Sequence, residues 1–239
     1  MLKGLVQKAA SHVGLDVYPS WDRNGRSHAQ RLRRLFERCD IRHVIDVGAN
    51  EGQFYTFLRA NVGFAGPIAS VEPDPELCKV ILDRKAKVPD ESWSLHQMAL
   101  GSESATLQFN RMALNVFNSF LTPVAGNPQN SVASTFTVQI RRIDDLLHGF
   151  DLEHTFIKLD TQGFDLEVLR GGPETFSRVP LVQTEVSFRP NYEDMPDWKD
   201  SMSSFQVAGF MFADMFSLVP ATHGAPHEAD CLLIRAELG

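Results

Sequence analysis

Between Val44 and Gln53 the chain reads Val-Ile-Asp-Val-Gly-Ala-Asn-Glu-Gly-Gln, an apolar run breaking into a turn framed by Gly48 and Gly52. Glycine at both places tolerates unusual backbone angles and lets the main chain come close to a bound molecule, with Asp46 and Asn50 as polar groups at the mouth. The spacing is neither G-x-G-x-x-G nor a loop ending in Gly-Lys-Ser/Thr, which argues against a dinucleotide or triphosphate site and hence against a dehydrogenase or an ATPase. Glu72 closes a second apolar run in Ser70-Val71-Glu72-Pro73-Asp74. A carboxylate at that place can accept hydrogen bonds from both hydroxyls of a ribose. Asp160 and Glu185 close two later runs and would face the same crevice. Each has a plainer alternative: Asp160 as a cap through Thr161 or Gln162, and Glu185 as the partner of Arg189 or Lys158.

Residues so far apart meet only if the chain folds into repeated βα units. Apolar runs over 43–47, 67–72, 93–99, 155–160 and 179–187 read as buried strands, and 53–60, 75–85, 164–170 and 198–208 as helices. Alternation over 105–110 and 135–140 suggests antiparallel or edge strands, and 210–219 with 231–236 a closing hairpin. The fold class expected is α/β, a doubly wound, mainly parallel Rossmann-like sheet with an antiparallel C-terminal β-hairpin and ligands at the strand carboxyl ends. A single domain is expected, with 1–40 as an N-terminal helical extension and 41–239 as the main unit. The stretch 111–134, rich in Asn, Ser, Pro and Gly, reads as a long loop, either a substrate cover or a surface insertion.

Composition narrows the partners. With 239 residues, 43% hydrophobic and 22% charged, the chain is an ordinary folded protein. A net charge of −7 argues against nucleic acid, and Arg31, Arg33 and Arg34 read as a solvated helix face. Cys39, Cys78 and Cys231 lack the spacing of zinc sites or a disulfide framework, which fits a reducing cytoplasm. No run is long enough to span a bilayer. Leu2, Leu5, Val6, Ala9 and Val13 fall at helical spacing, suited to packing on the domain or to peripheral membrane contact. His223 and His227 are four apart, but Gly224 and Pro226 argue against a helix there, so no zinc is expected. There is no G-x-S-x-G elbow for nucleophilic hydrolysis.

Three stretches carry a resemblance: the glycine turn from Val44, Val-Glu-Pro-Asp-Pro from Val71, and Ile157-Lys158-Leu159-Asp160-Thr161-Gln162-Gly163-Phe164-Asp165, with lesser support from Ala99-Leu100-Gly101. Together they resemble the class I methyltransferase superfamily and, within it, the FkbM family, over about 43–190. The family commonly has Val-Glu-Gly-Ala-Glu where this chain has Thr-Gln-Gly-Phe-Asp, so Gln162 and Asp165 are departures. The resemblance implies S-adenosylmethionine as cofactor, held by Asp46, Gly48, Asn50, Gly52, Glu72 and Ala99, and methyl transfer to a hydroxyl of a sugar, glycolipid or natural product. Such a transfer needs a base for the hydroxyl proton, and Asp160 and Glu185 are the candidates. Magnesium held by the same acids is the alternative, set second because no clear Asp-Asn pair follows the fifth strand. A non-catalytic S-adenosylmethionine-binding or interaction module is the rival from another class.

Overall fold

The computed structural model describes residues 23–125, 131–216 and 227–239. The expected amphipathic stretch near the N-terminus and His223 lie outside the described residues.

The apolar run His43–Val47 forms β1 in the middle of a seven-stranded sheet. On one side it pairs in parallel with β2 (Ile68–Val71), which pairs with β3 (Trp93–His96). On the other lie β7 (Thr155–Leu159) and β8 (Leu181–Ser187), also parallel. β9 (Phe210–Phe216) and β10 (Glu228–Arg235) close the sheet as an antiparallel pair, giving the order β3-β2-β1-β7-β8-β10-β9. The chain therefore reverses its direction of travel across the sheet at β1. Crevices in open α/β sheets form at such a switch point.

Strands buried on both faces must be apolar on both, and here the two sets separate cleanly. Val44, Ile68, Phe156 and Leu181 pack under α1 (Arg23–Arg38) through Leu32 and Phe36, and under α2 (Gln53–Phe57) and the π-helical turn Leu58–Val62 that prolongs it. Ile45, Val71, Ile157 and Val182 face α5 (Asp165–Arg170), α6 (Pro173–Arg178) and α7 (Trp198–Val207). Full burial of each such side chain stabilises the fold by about 1.5–3 kcal/mol. α3 (Pro75–Lys87) starts with a proline in its first turn, and the Asp74 carboxylate caps it by accepting from Glu76 N at 2.8 Å. Arg33 donates to the carbonyls of Asn61 and Val62, fastening α1 to the π turn.

The run expected as one strand over 93–99 is two. After His96 the chain turns sharply, with Met98 N–H donating to the His96 carbonyl. Ala99–Leu100 then joins a separate three-stranded sheet as β4, paired with β6 (Val132–Arg141), which pairs on its other side with β5 (Ala105–Met112). That small sheet takes in both ends of the expected 111–134 loop. α4 (Ile143–Leu146) leads from β6 towards β7.

Candidate active site

At the carboxyl end of β1 the backbone takes positive φ at Gly48 (78°), Asn50 (50°) and Gly52 (77°). A Cβ on Gly48 would collide with the Asp160 carbonyl oxygen, so the glycine lets the β1 and β7 ends lie side by side. Gly52 points elsewhere: its Cβ would stand 3.1 Å from a ring carbon of Trp93. The turn is held by Glu72, whose Oε2 accepts from Asn50 N at 2.7 Å and Oε1 from Asp74 N at 2.9 Å. Burial outweighs those two donors and pushes the Glu72 carboxyl up to about 8.

Register sets the rest. Neighbouring residues in paired strands project to the same side. Asp46, Lys158 and Gln183 thus form one row across β1, β7 and β8. In the next row Asp160, one step past β7, lies beside Glu185, which pairs with Asp230 of β10. Lys158 Nζ stands 3.3 Å from Asp46 Oδ1, 3.1 Å from Asp160 Oδ2 and 5.4 Å from the centre of the Phe54 ring. Burial by itself would lower the Lys158 pKa, but Asp160, Asp46 and Asp230 together raise it, so it is an ammonium. Asp46 is fully enclosed and burial pushes it up, with Lys158 pulling the other way. Its oxygens have no hydrogen bond, so the contact with Lys158 is an ion pair rather than a bond of good geometry.

Beyond this row the acids crowd. Burial, then the charges of Asp160, Glu228, Asp230 and Asp165, holds Glu185 well above the usual carboxylate range. Burial, then Asp160, raises Asp230 to about 7. Gln162 sits between the two candidate bases: Nε2 donates to Glu185 Oε2 at 2.8 Å and to Asp160 Oδ1 at 3.3 Å. Asp160 meets Lys158 and the side chain of Gln162, one of the two residues of its capping alternative, while α5 itself begins only at Asp165; the hydrogen bond to Glu185 comes from Gln162. Asp165 instead ties the turn together, accepting from Thr161 N, Thr161 Oγ1 and Thr184 Oγ1.

A cavity of about 600 Å³ joins the two ends, and Gly48, Asn50, Glu72, Ala99, Asp160 and Glu185 all line it. Asp46 and Gly52 do not; they lie behind the wall. The segment Asn115–Phe120 roofs the cavity with Val116, Phe117 and Phe120. It is tied to the glycine turn by Asn50 Nδ2 to the Asn115 carbonyl (3.1 Å) and Asn115 Nδ2 to Glu51 Oε1 (2.9 Å). At the far end Ser119 Oγ donates to the Gln162 carbonyl at 2.8 Å. Sequence reading missed Lys158 as a site residue, along with Gln183, Glu228, Asp230 and His28, which line the same space. The signal for Lys158 was a lone cation inside the apolar run Thr155–Leu159. His28 arrives from α1, stacks 5.0 Å from Phe57, and is driven down to about 4 by burial. Among the described residues no group of three or more His, Cys, Asp or Glu is arranged to hold a metal ion, and no helix is long and apolar enough to cross a membrane.

A model of the methyltransferase FkbM domain matches residues 46–212, and the chain belongs to that family. The resemblance first seen in three short motifs therefore holds over most of the chain. Among solved structures, the methyltransferase FkbM from Methylobacillus flagellatus KT superposes with a TM-score of 0.54 at 17% identity, covering 82% of this chain and 44% of that one. This chain thus spans less than half the length of that protein. Magnesium protoporphyrin IX methyltransferase from Synechocystis PCC 6803 gives 0.48 at 8% identity, with 88% and 79% covered. An rRNA methylase from Streptococcus thermophilus gives 0.45 at 10%, with 84% and 94% covered. At these identities the likeness to the FkbM structure establishes the Rossmann-like fold. No curated protein matches the chain.

Proposed function

We propose that the chain is an S-adenosylmethionine-dependent O-methyltransferase acting on a hydroxyl of a small molecule or carbohydrate. The observation that carries this reading is that the glycine turn, Glu72, Asp160 and Glu185, distant in sequence, line one cavity. The residues fit the cofactor. Small-molecule sites commonly enclose about 300–1,000 Å³. The two backbone donors on Glu72 leave lone pairs free for ribose hydroxyls. The lining holds the carboxyl groups of Glu72, Asp160, Glu185, Glu228 and Asp230, most of them raised by burial, and a bound cation would draw them towards the ionised form.

S-adenosylmethionine supplies, when bound, a methyl group made electrophilic by its sulfonium. The protein's part is to bind, orient and deprotonate. Glu72, Asn50, Gly48 and Ala99 hold the nucleoside end. Asp160, fixed at Oδ2 by Lys158 and at Oδ1 by Gln162, takes the proton of the acceptor hydroxyl, while Glu185, held in its protonated form, orients that hydroxyl. Val116, Phe117 and Phe120 keep water from the reacting end. No metal enters this scheme, and loss of turnover on chelation with recovery on added magnesium would replace it by a metal-assisted one.

The first test is thermal protection of the purified protein. A ligand that binds only the folded state raises its melting temperature, by an amount that grows with concentration over Kd. S-adenosylmethionine and S-adenosylhomocysteine should both protect, and NADH and ATP should not. Protection by NADH alone would overturn the reading.

A further inference from the structure

We propose that Gln162 is the positioning residue of the site, a single amide that clamps the Asp160 and Glu185 carboxylates in one arrangement facing the cavity. The catalytic consequence rests on the functional reading above; the clamp itself does not.

The geometry is that of a built part. Gln162 has φ 53°, in the left-handed region that a residue with a side chain seldom adopts, directly before Gly163 at φ 92°. A non-glycine residue persists there only when its surroundings hold it. Here they do: Ser119 Oγ binds its carbonyl, and Tyr192 Oη lies 2.9 Å from Oε1. With Oε1 anchored, both hydrogens of Nε2 point at carboxylates, one at Glu185 Oε2 and one at Asp160 Oδ1. Gln162 is 8% exposed, so water competes little for these bonds. Tyr192 is itself fully buried, and its single hydroxyl hydrogen is shared between Gln162 Oε1 and the Phe117 carbonyl, 2.7 Å from Oη, which places the clamp against the cavity roof.

An amide is the group this position calls for. A carboxylate in its place would add another acid to a pair already faced by Asp165 from α5 and by Glu228 and Asp230 from β10, with the cation Lys158 of β7 and the phenol of Tyr192 nearby. An aliphatic side chain would leave Glu185 without its donor. The amide supplies neutral donors to both acids and so lets them stand side by side.

The test reads the carboxyl group directly and needs no acceptor. Protein carrying ¹³C at the glutamate carboxyls is titrated by NMR, with the Glu185 resonance assigned by its loss in Glu185→Gln. Gln162→Gly suits the backbone, since glycine accepts φ 53°, and removes the side chain with its amide. Its Glu185 titration should move upward by about one pH unit or more, because the charged form loses a donor. Gln162→Glu should split the Glu185 titration into two coupled steps. Tyr192→Phe keeps the amide but frees its anchor, and should give a smaller upward shift. If Glu185 titrates as in the wild type in Gln162→Gly and Tyr192→Phe, whatever their melting temperatures, Gln162 is merely structural and the proposal falls. Calorimetry of S-adenosylmethionine binding to the wild type is read separately: failure to bind sinks the functional reading and leaves the titration to judge the clamp.

Discussion

The missing Cβ of Gly48 is the space occupied by the carbonyl oxygen of Asp160, so the glycine turn and the candidate base share one backbone contact. Gly48→Ala should therefore damage folding, not only binding. The left-handed φ and the collision with main chain add, and a loss of about 2–4 kcal/mol is expected from strain and overpacking. Urea unfolding followed by circular dichroism measures it. Wild-type stability in Gly48→Ala would show that the two turns separate readily.

Lys158 compensates the buried Asp46. Lys158→Met should cost about 3–5 kcal/mol at neutral pH, because it strands a carboxylate away from water. The sign with pH follows from directions. The Lys158 pKa is raised, so its contribution is complete below its ordinary value of 10.5 and is lost only above that. Asp46 is raised too, so in the variant stability is best near and below 3.8 and is lost as pH rises from there. Melting temperatures across pH 4–9 should show the deficit narrowing towards acid, and a deficit independent of pH would contradict the pairing.

Glu72 gives the cofactor end its own pH signature. With its carboxyl raised from 4.5 to about 8, its favourable share of stability is full below 4.5 and declines as pH climbs to about 8. Ribose hydroxyls favour the ionised form, so binding S-adenosylmethionine at pH 7 should release a proton, and affinity should tighten between pH 6 and about 8. Calorimetry in buffers of different ionisation enthalpy reports that proton. Glu72→Ala should abolish the release and weaken binding by about 1.5–3 kcal/mol. Unchanged affinity would remove Glu72 from the site.

Asp160→Asn separates base from scaffold. On the proposed chemistry it keeps cofactor affinity, lowers the single-turnover rate about 10²- to 10⁴-fold, and ignores chelator. Near-normal turnover with a reduced melting temperature would assign Asp160 to structure alone.

The sheet was legible because its signals are local. Apolar runs marked β1, β2, β7 and β8, and Pro75 marked the start of α3. The split of 93–99 was hidden, since Ala99 and Leu100 are as apolar as the strand before them and only the partner, β6, decides which sheet they join. α6 also went unread, although it is as long as α5, which the sequence did mark. At the site, Glu72, Asp160 and Glu185 could be found as acids ending apolar runs. Gln162 could not be placed in the same way, because its role depends on Tyr192, 30 positions away, and on a backbone angle that no composition announces.

The roof Asn115–Phe120 is fastened at one end to Asn50 and Glu51 and at the other to Gln162 and Tyr192. If the cofactor and an acceptor both pack against this strap, as proposed, their binding becomes a matter of sequence in time. Whichever arrives first bears most of the entropy of stilling it, and the second then meets a prepared surface. Linkage makes the benefit mutual: if a bound nucleoside tightens the acceptor by some factor, the acceptor tightens the nucleoside by the same one.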